Sequence, residues 1–230
     1  MAEVTPATDQ WAGKSVQTAE HIQGMIGDRL HNAPKEQERA PSFALTNAQT
    51  GNTHTLSELH QRKPVVLFFG SRSCSATQHS GEAVNQLWKR FGRKVDFYLV
   101  YIREAHPAGD NHFAGRTSFA APDPGTDKER RMAALEFATE REIEFPVLVD
   151  RVDDAAAVRW GAWPVRLFMI DQSGTVIFAG QQGPWYHKPT RDFNSGLSNA
   201  PDAIKDLPGY SSGSLEDLLE KRYELVPSIQ

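Results

Sequence analysis

PVVLFFGSRSC (residues 64–74), followed without interruption by SATQHSGEAVNQLWKRF (75–91), is the stretch on which the fold turns. The apolar run from Val65 to Phe69 does not alternate, so it reads as a strand buried on both faces. The residues after it are amphipathic at helical spacing. Cys74, the single cysteine of the chain, therefore falls where a buried strand hands over to a helix N-terminus. Backbone N–H groups and the positive end of the helix favour a thiolate there, and Arg72 lies two residues upstream, so a lowered thiol pKa is the expectation. The plain alternative for a lone cysteine is a small buried hydrophobe.

Working outward, the pattern alternates. Strands are predicted over 43–46, 65–69, 95–102, 147–150, 166–170 and 176–179, and helices over 76–91, 128–141, 154–160 and 215–223. Asp171-Gln172-Ser173-Gly174 is a tight turn joining the last two strands, and Ser214 with Asp217 starts the last helix as a capping box. Strands separated by helices predict an α/β domain with a mostly parallel central sheet, right-handed crossovers and an antiparallel hairpin at one edge. Trp11, Val16, Ala19, Ile22, Ile26 and Leu30 recur at helical spacing and predict an N-terminal helical arm over 9–31. A polar linker over 31–41 follows, which divides the chain into an arm (1–40) and a main domain (41–230). The arm docks on the main domain or on a second copy. The connections over 103–127 and 180–213 are long for a compact domain and read as covers or inserts.

Composition excludes several classes. The chain has 230 residues, 39% of them hydrophobic, enough for one sizeable core, and a formal net charge of −4. Mixed-sign charge of this kind argues against a nucleic-acid binder. A single cysteine leaves no internal disulfide and fits a reducing, cytoplasmic setting, and a redox cycle would draw its second thiol from outside. The first residues have neither a basic flank nor an apolar core, so no signal peptide is expected, and no run approaches the roughly 20 apolar residues that span a bilayer. A soluble protein with no membrane partner is the expectation.

The layout is that of a thioredoxin-like domain. FFGSRSC (68–74), YIREAHPAGD (101–110), WGAWPVRLFMID (160–171) and GPW (183–185), in that order, resemble the iodothyronine deiodinase family, over about 40–185 and loosely through the last helix. The resemblance implies a thioredoxin-like fold, reductive removal of iodide from phenolic rings, and a nucleophile at Cys74, where the family carries selenocysteine or cysteine. It implies no bound cofactor, an external thiol or thioredoxin-type reductant, a halogenated phenol as substrate, and a homodimer. The chain departs from the family pattern at Ser73, where Thr is usual, at Ser75, where Pro is usual, and after His106, where AGDNHF replaces SDGW.

The chemistry can be argued independently. Removing iodine from a ring with a thiolate needs a soft nucleophile along the carbon–iodine axis and an acid for the ring carbon. Cys74 is the candidate for the first, and His106 or Glu104 for the second, with His106 also suited to holding a phenolic oxygen. Both follow a predicted strand end, where α/β sheets collect their chemistry. Ser71, Arg72, Ser73, Thr77, Trp163, Pro164 and Arg166 are read as binding substrate or shaping the site. Plainer readings stand beside these: His106 as a loop histidine, and Glu104 as a surface ion-pair partner of Arg103 or Arg166. A His106–His112 metal pair is rejected for want of a third ligand. For Trp163-Pro164 the resemblance to thioredoxin-like folds implies a cis bond beside the nucleophile, and the plain alternative is a trans proline starting a strand.

Two other functions compete. Cys74-Ser75-Ala76-Thr77 resembles the helix start of one-cysteine thiol peroxidases, but Leu67 and Ser71 stand where peroxiredoxins carry Pro and Thr. A non-enzymatic binding module with an inert Cys74 is the third reading, since fold alone does not choose among functions.

Overall fold

A computed structural model describes residues 32–108, 121–181, 188–193 and 208–224. The helix expected over 9–31 lies outside the described residues, as do His112 and parts of both long connections. The elements run β1 (Ala44–Asn47), β2 (Thr53–Thr55), α1 (Leu56–Arg62), β3 (Val65–Gly70), α2 (Ser75–Phe91) and β4 (Asp96–Tyr101). They continue with α3 (Asp127–Glu140), β5 (Val147–Val149), α4 (Ala155–Arg159), β6 (Arg166–Ile170), β7 (Val176–Ala179) and α5 (Leu215–Tyr223). One seven-stranded sheet has the order β2-β1-β5-β4-β3-β6-β7.

The mostly parallel sheet is corrected by these pairings. Only β3–β4 and β4–β5 are parallel, while β1–β2, β1–β5, β3–β6 and β6–β7 are antiparallel. The helices α2 and α3 do carry the chain back for parallel entry. The five residues of α4 instead lead into the turn at Trp163-Pro164, and the chain then enters β6 on the far side of β3 in the opposite direction. The fold is the expected thioredoxin-like one, with its β-α-β half and its hairpin half meeting along β3.

All six residues of β3 are buried, as expected for the central strand. On one face Trp160 packs on Phe69 and Phe168 with ring centroids 5.6 and 4.9 Å away. Phe97 and Phe145 meet at 6.1 Å. Each such buried aromatic or aliphatic side chain contributes about 1.5–3 kcal/mol. Ala76, Thr77, Ser80, Val84, Leu87 and Phe91 form the buried stripe of α2. Arg90, near the end of α2, reaches Glu216, Glu220 and Glu224 at 2.6, 2.6 and 2.7 Å and fastens α5 beside it.

Three features were not anticipated, the first being the strand β2, which pairs antiparallel with β1. Thr55-Leu-Ser-Glu58 is a full capping box that starts α1, and the signal was present in the sequence. The expected linker also pairs with the sheet. Gln37 N–H donates to the Val176 carbonyl and Val176 N–H to that of Glu38, both at 2.9 Å, covering the outer edge of β7. The expected capping box at Ser214 and Asp217 is present.

Candidate active site

Cys74 is the N-cap of α2, in extended conformation and 3% exposed. Its N–H donates to the Ser71 carbonyl at 3.3 Å and its carbonyl accepts from Gln78 N–H at 3.0 Å, which fixes the loop between β3 and α2. Burial pushes the thiol pKa up, and the Glu104 charge adds to the rise. The hydroxyl and N–H of Thr77 and the N–H of Ala76 act in the opposite direction. The expected lowered thiol pKa is thus corrected: the helix start does favour the thiolate, but desolvation outweighs it. Arg72 does not help, because its guanidinium turns outward to Glu136 and Glu140 on α3, at 3.4 and 2.5 Å.

Thr77 lies one turn into α2, fully buried, and its hydroxyl has no hydrogen-bond partner among the described residues. It fits only because residue 70 is glycine: a Cβ there would overlap Oγ1 and Cγ2 of Thr77. The end of β3 therefore lacks a side chain in order to admit the residue that supports the thiolate.

Glu104 is completely buried. One carboxyl oxygen accepts from the Ser73 N–H at 2.7 Å and from the Ser73 hydroxyl, and the other accepts from the Tyr101 hydroxyl. Burial holds this carboxyl above the usual carboxylate range, although the Ser73 and Tyr101 hydrogen bonds pull it down. Tyr101 is raised in turn by its own burial and by Glu104, so it remains a phenol. The reading of Glu104 as a surface partner of Arg103 or Arg166 is corrected by this geometry. Arg103 lies instead between Asp123 and Asp154, at 3.8 and 3.9 Å.

Ser73 is the junction of the site. Besides donating to Glu104, its oxygen accepts from the His106 N–H at 2.9 Å, and Ser71 Oγ accepts from the Ala105 N–H at 3.2 Å. Two strand-end loops, 71–74 and 104–106, are thereby stitched together beside the thiol. His106 is half-buried. Trp163, 2% exposed, donates its indole N–H to the Glu104 carbonyl at 3.4 Å, and the Trp163-Pro164 bond is cis, as expected.

Arg166 is buried without exposure and donates to the carbonyls of Gly180 and Gly161 at 2.7 and 2.8 Å. Its guanidinium lies over the Tyr210 ring at 4.8 Å, and burial pulls its pKa down to about 10. Its contacts tie the turn ahead of Trp163 to the end of β7. The structure thus gathers Cys74, Ser71, Ser73, Thr77, Glu104, His106 and Trp163 around two loops, and it sends the Arg72 and Arg166 side chains elsewhere. Tyr101 and Asp123 were missed. Tyr101 ends a strand as one more apolar-compatible residue, and nothing in the spacing reveals where its hydroxyl ends.

A thioredoxin-like domain with a buried cysteine at the strand-to-helix turn, next to a serine that donates to a buried carboxyl on the neighbouring loop, is the class these observations define. A family model described as iodothyronine deiodinase matches residues 5–192, and the chain belongs to that family. It is similar to the type I iodothyronine deiodinase of Xenopus laevis, with 28% identity over 150 residues, 65% of this chain and 58% of that protein. It is also similar to the thyroxine 5-deiodinase of Ovis aries, with 30% identity over 133 residues, 58% of this chain and 44% of that protein. The chain thus spans about half the length of these relatives. Among solved structures, an uncharacterized conserved protein from Geobacillus kaustophilus is similar at TM-score 0.51 and 18% identity, covering 79% of this chain and 87% of that one. Among the described residues no helix is long and apolar enough to cross a membrane.

Proposed function

We propose that the protein is a thiol-dependent reductive dehalogenase acting on iodinated or otherwise halogenated phenolic aromatics, with Cys74 as nucleophile. The observation that carries this reading is the buried Glu104 carboxyl held on Ser73, the residue next to Cys74. A soft nucleophile and a carboxyl whose ionisation burial opposes then lie on two loops joined through Ser73.

In the proposed cycle the Cys74 thiolate attacks iodine. The S–I bond forms as the C–I bond breaks, its electron pair stays on the ring carbon, and the carbon takes a proton from the Glu104 acid. The products are the dehalogenated phenol and a sulfenyl iodide. An external thiol then attacks Cys74 Sγ, releasing iodide and a proton and leaving a mixed disulfide. A second external thiol returns Cys74 to its reduced form and leaves as a disulfide. The reductant is external because Cys74 is the chain's single cysteine, and no step calls for a bound cofactor. His106 is assigned to the phenolic oxygen, and Ser71, Ser73, Thr77 and Trp163 to holding the two loops and the thiolate. Burial raises both the Cys74 thiol and the Glu104 carboxyl, so the site disfavours charge on each.

The test is iodide release from iodophenols, iodotyrosines and iodothyronines with excess dithiol, comparing the wild type with Cys74→Ser and Glu104→Gln. Release that vanishes in Cys74→Ser and falls at least tenfold in Glu104→Gln is the expected result. No release from the wild type would refute the proposal. Peroxide consumption that depends on Cys74 would then assign the thiol-peroxidase chemistry that Cys74 and Thr77 also suit, and an inert Cys74 would leave a binding module.

A further inference from the structure

The described chain starts pinned to one edge of the sheet. Asn32 is helical, Ala33 and Pro34 are buried, and Lys35 packs on Gly209, where a Cβ would overlap its side chain. Glu36 N–H donates to the Gly209 carbonyl at 2.8 Å, and the Glu36 carboxylate accepts from the Ser211 hydroxyl. Beside this anchor a groove of about 360 Å³ lies between β7, the segment 210–214 and α5. Ile177, Tyr210 and Leu218 supply its apolar wall, and each is only partly covered. Glu36, Asp217 and Lys221 also line it, two acids against one lysine.

We propose that this groove is the docking site of the chain's own N-terminal arm, with Ile22, Ile26 and Leu30 seated against Ile177, Tyr210 and Leu218. The arm lies outside the described residues, and three features assign it to the groove. The first is reach. Leu30 comes two residues before the helical Asn32 and six before Glu36, so the last turns of the helix predicted over 9–31 lead directly to the groove. A tether this short gives the arm an effective concentration of about millimolar at its own groove, well above that of a second copy in a micromolar solution. The second is chemistry. Ile22, Ile26 and Leu30 recur every four residues and so share one helix face, and an amphipathic helix gains its stability by packing that face on an apolar partner. The third is charge. On such a helix Arg29 flanks the stripe, toward the acidic rim, and Asp28 falls on the opposite side. Docking there also covers the Tyr210 ring that lies over the Arg166 guanidinium at 4.8 Å. The inference is independent of the chemistry proposed at Cys74.

The experiment uses the full chain carrying Cys74→Ser, so that the only thiols are introduced ones. Gln23→Cys, beside the stripe, is paired either with Lys221→Cys on the exposed groove rim or with Met132→Cys at an exposed position of α3. Each double variant is treated with bismaleimidoethane at micromolar protein, and the products are separated by denaturing electrophoresis and weighed by mass spectrometry. The Gln23–Lys221 pair is expected to give an internally cross-linked monomer at least tenfold faster than the Gln23–Met132 pair. Adding Ile26→Asp should abolish that preference and Ile26→Leu should keep it, and Ile26→Asp alone should lower Tm by about 2–4 °C. Equal rates for the two pairs would overturn the proposal. Cross-links formed mainly between chains would overturn it too, by placing the arm on a second copy, as would a rate and a Tm that Ile26→Asp leaves unchanged.

Discussion

Thr77→Val isolates the one side-chain hydroxyl that supports the Cys74 thiolate. Thr77 is fully buried and its hydroxyl has no hydrogen-bond partner among the described residues, so replacing it with a methyl of similar size breaks no structural bond. A buried hydroxyl without a partner is itself unfavourable, so the variant should unfold at the wild-type stability or up to about 1 kcal/mol above it. The thiolate loses a charge-assisted hydrogen bond worth about 1.5–3 kcal/mol. At roughly 1.4 kcal/mol per pKa unit, the thiol should move up by about one to two units from a position already raised by burial. Where the thiol is mostly protonated, alkylation tracks the thiolate fraction and should slow about 10- to 100-fold. The assay is carbamidomethylation by iodoacetamide between pH 6 and 10, with thermal unfolding of the same samples. Coincident profiles for the two proteins would refute the argument that this hydroxyl supports the thiolate. Slower alkylation together with a lower Tm would show that Thr77 acts by packing instead.

Three other perturbations probe the frame around the site. Gly70→Ala places a methyl on Thr77, so it should cost about 1–3 kcal/mol by overpacking and raise the thiol in the same direction as Thr77→Val, read by urea unfolding and alkylation. Asp150 is buried and accepts from the N–H groups of Ala156 and Ala157 at 3.1 and 2.8 Å, yet burial, with Asp154 nearby, holds its pKa up to about 6. Because the folded state binds this proton more tightly than the unfolded chain does, Asp150 subtracts stability as pH rises from about 4 to 6. The stability of the wild type minus that of Asp150→Asn should therefore fall by about 3 kcal/mol between pH 4 and 7, and a pH-independent difference would exclude this linkage. Arg130→Met removes the 2.8 Å partner of the buried Asp154 and should cost about 3 kcal/mol in urea unfolding, part of which Asp154→Asn restores in the same background.

Much of the fold was legible because it rests on local pattern. The unbroken apolar run of β3 could only be a strand covered on both sides, the stripe of α2 announced a helix packed along one face, and Ser214 with Asp217 marked a helix start by hydrogen bonds made within four residues. The order of motifs around Cys74, Glu104 and Trp163 pointed to the iodothyronine deiodinase family, and the family match agrees. Thr55 to Glu58 shows that a local signal can also be passed over, because the helix it starts is only seven residues long. Strand direction was less accessible. Whether β6 lies parallel or antiparallel to β3 depends on the path between them, and a short helix in the sequence does not specify the side on which the chain returns.

The charge states of the site belonged to the tertiary structure altogether. The sequence by itself determined that a cysteine would cap a helix after a buried strand and that an Arg, a Glu and a His would stand near strand ends. It determined this because strand and helix periods, caps and turns are set by residues a few positions apart. Only the tertiary structure decided that Arg72 would turn to Glu136 and Glu140, that Ser73, Tyr101 and Asp123 would surround Glu104, and that burial would raise both the thiol and the carboxyl. Desolvation and Coulomb interaction depend on which groups converge in space and on how much water they lose. Neither is set by distance along the chain.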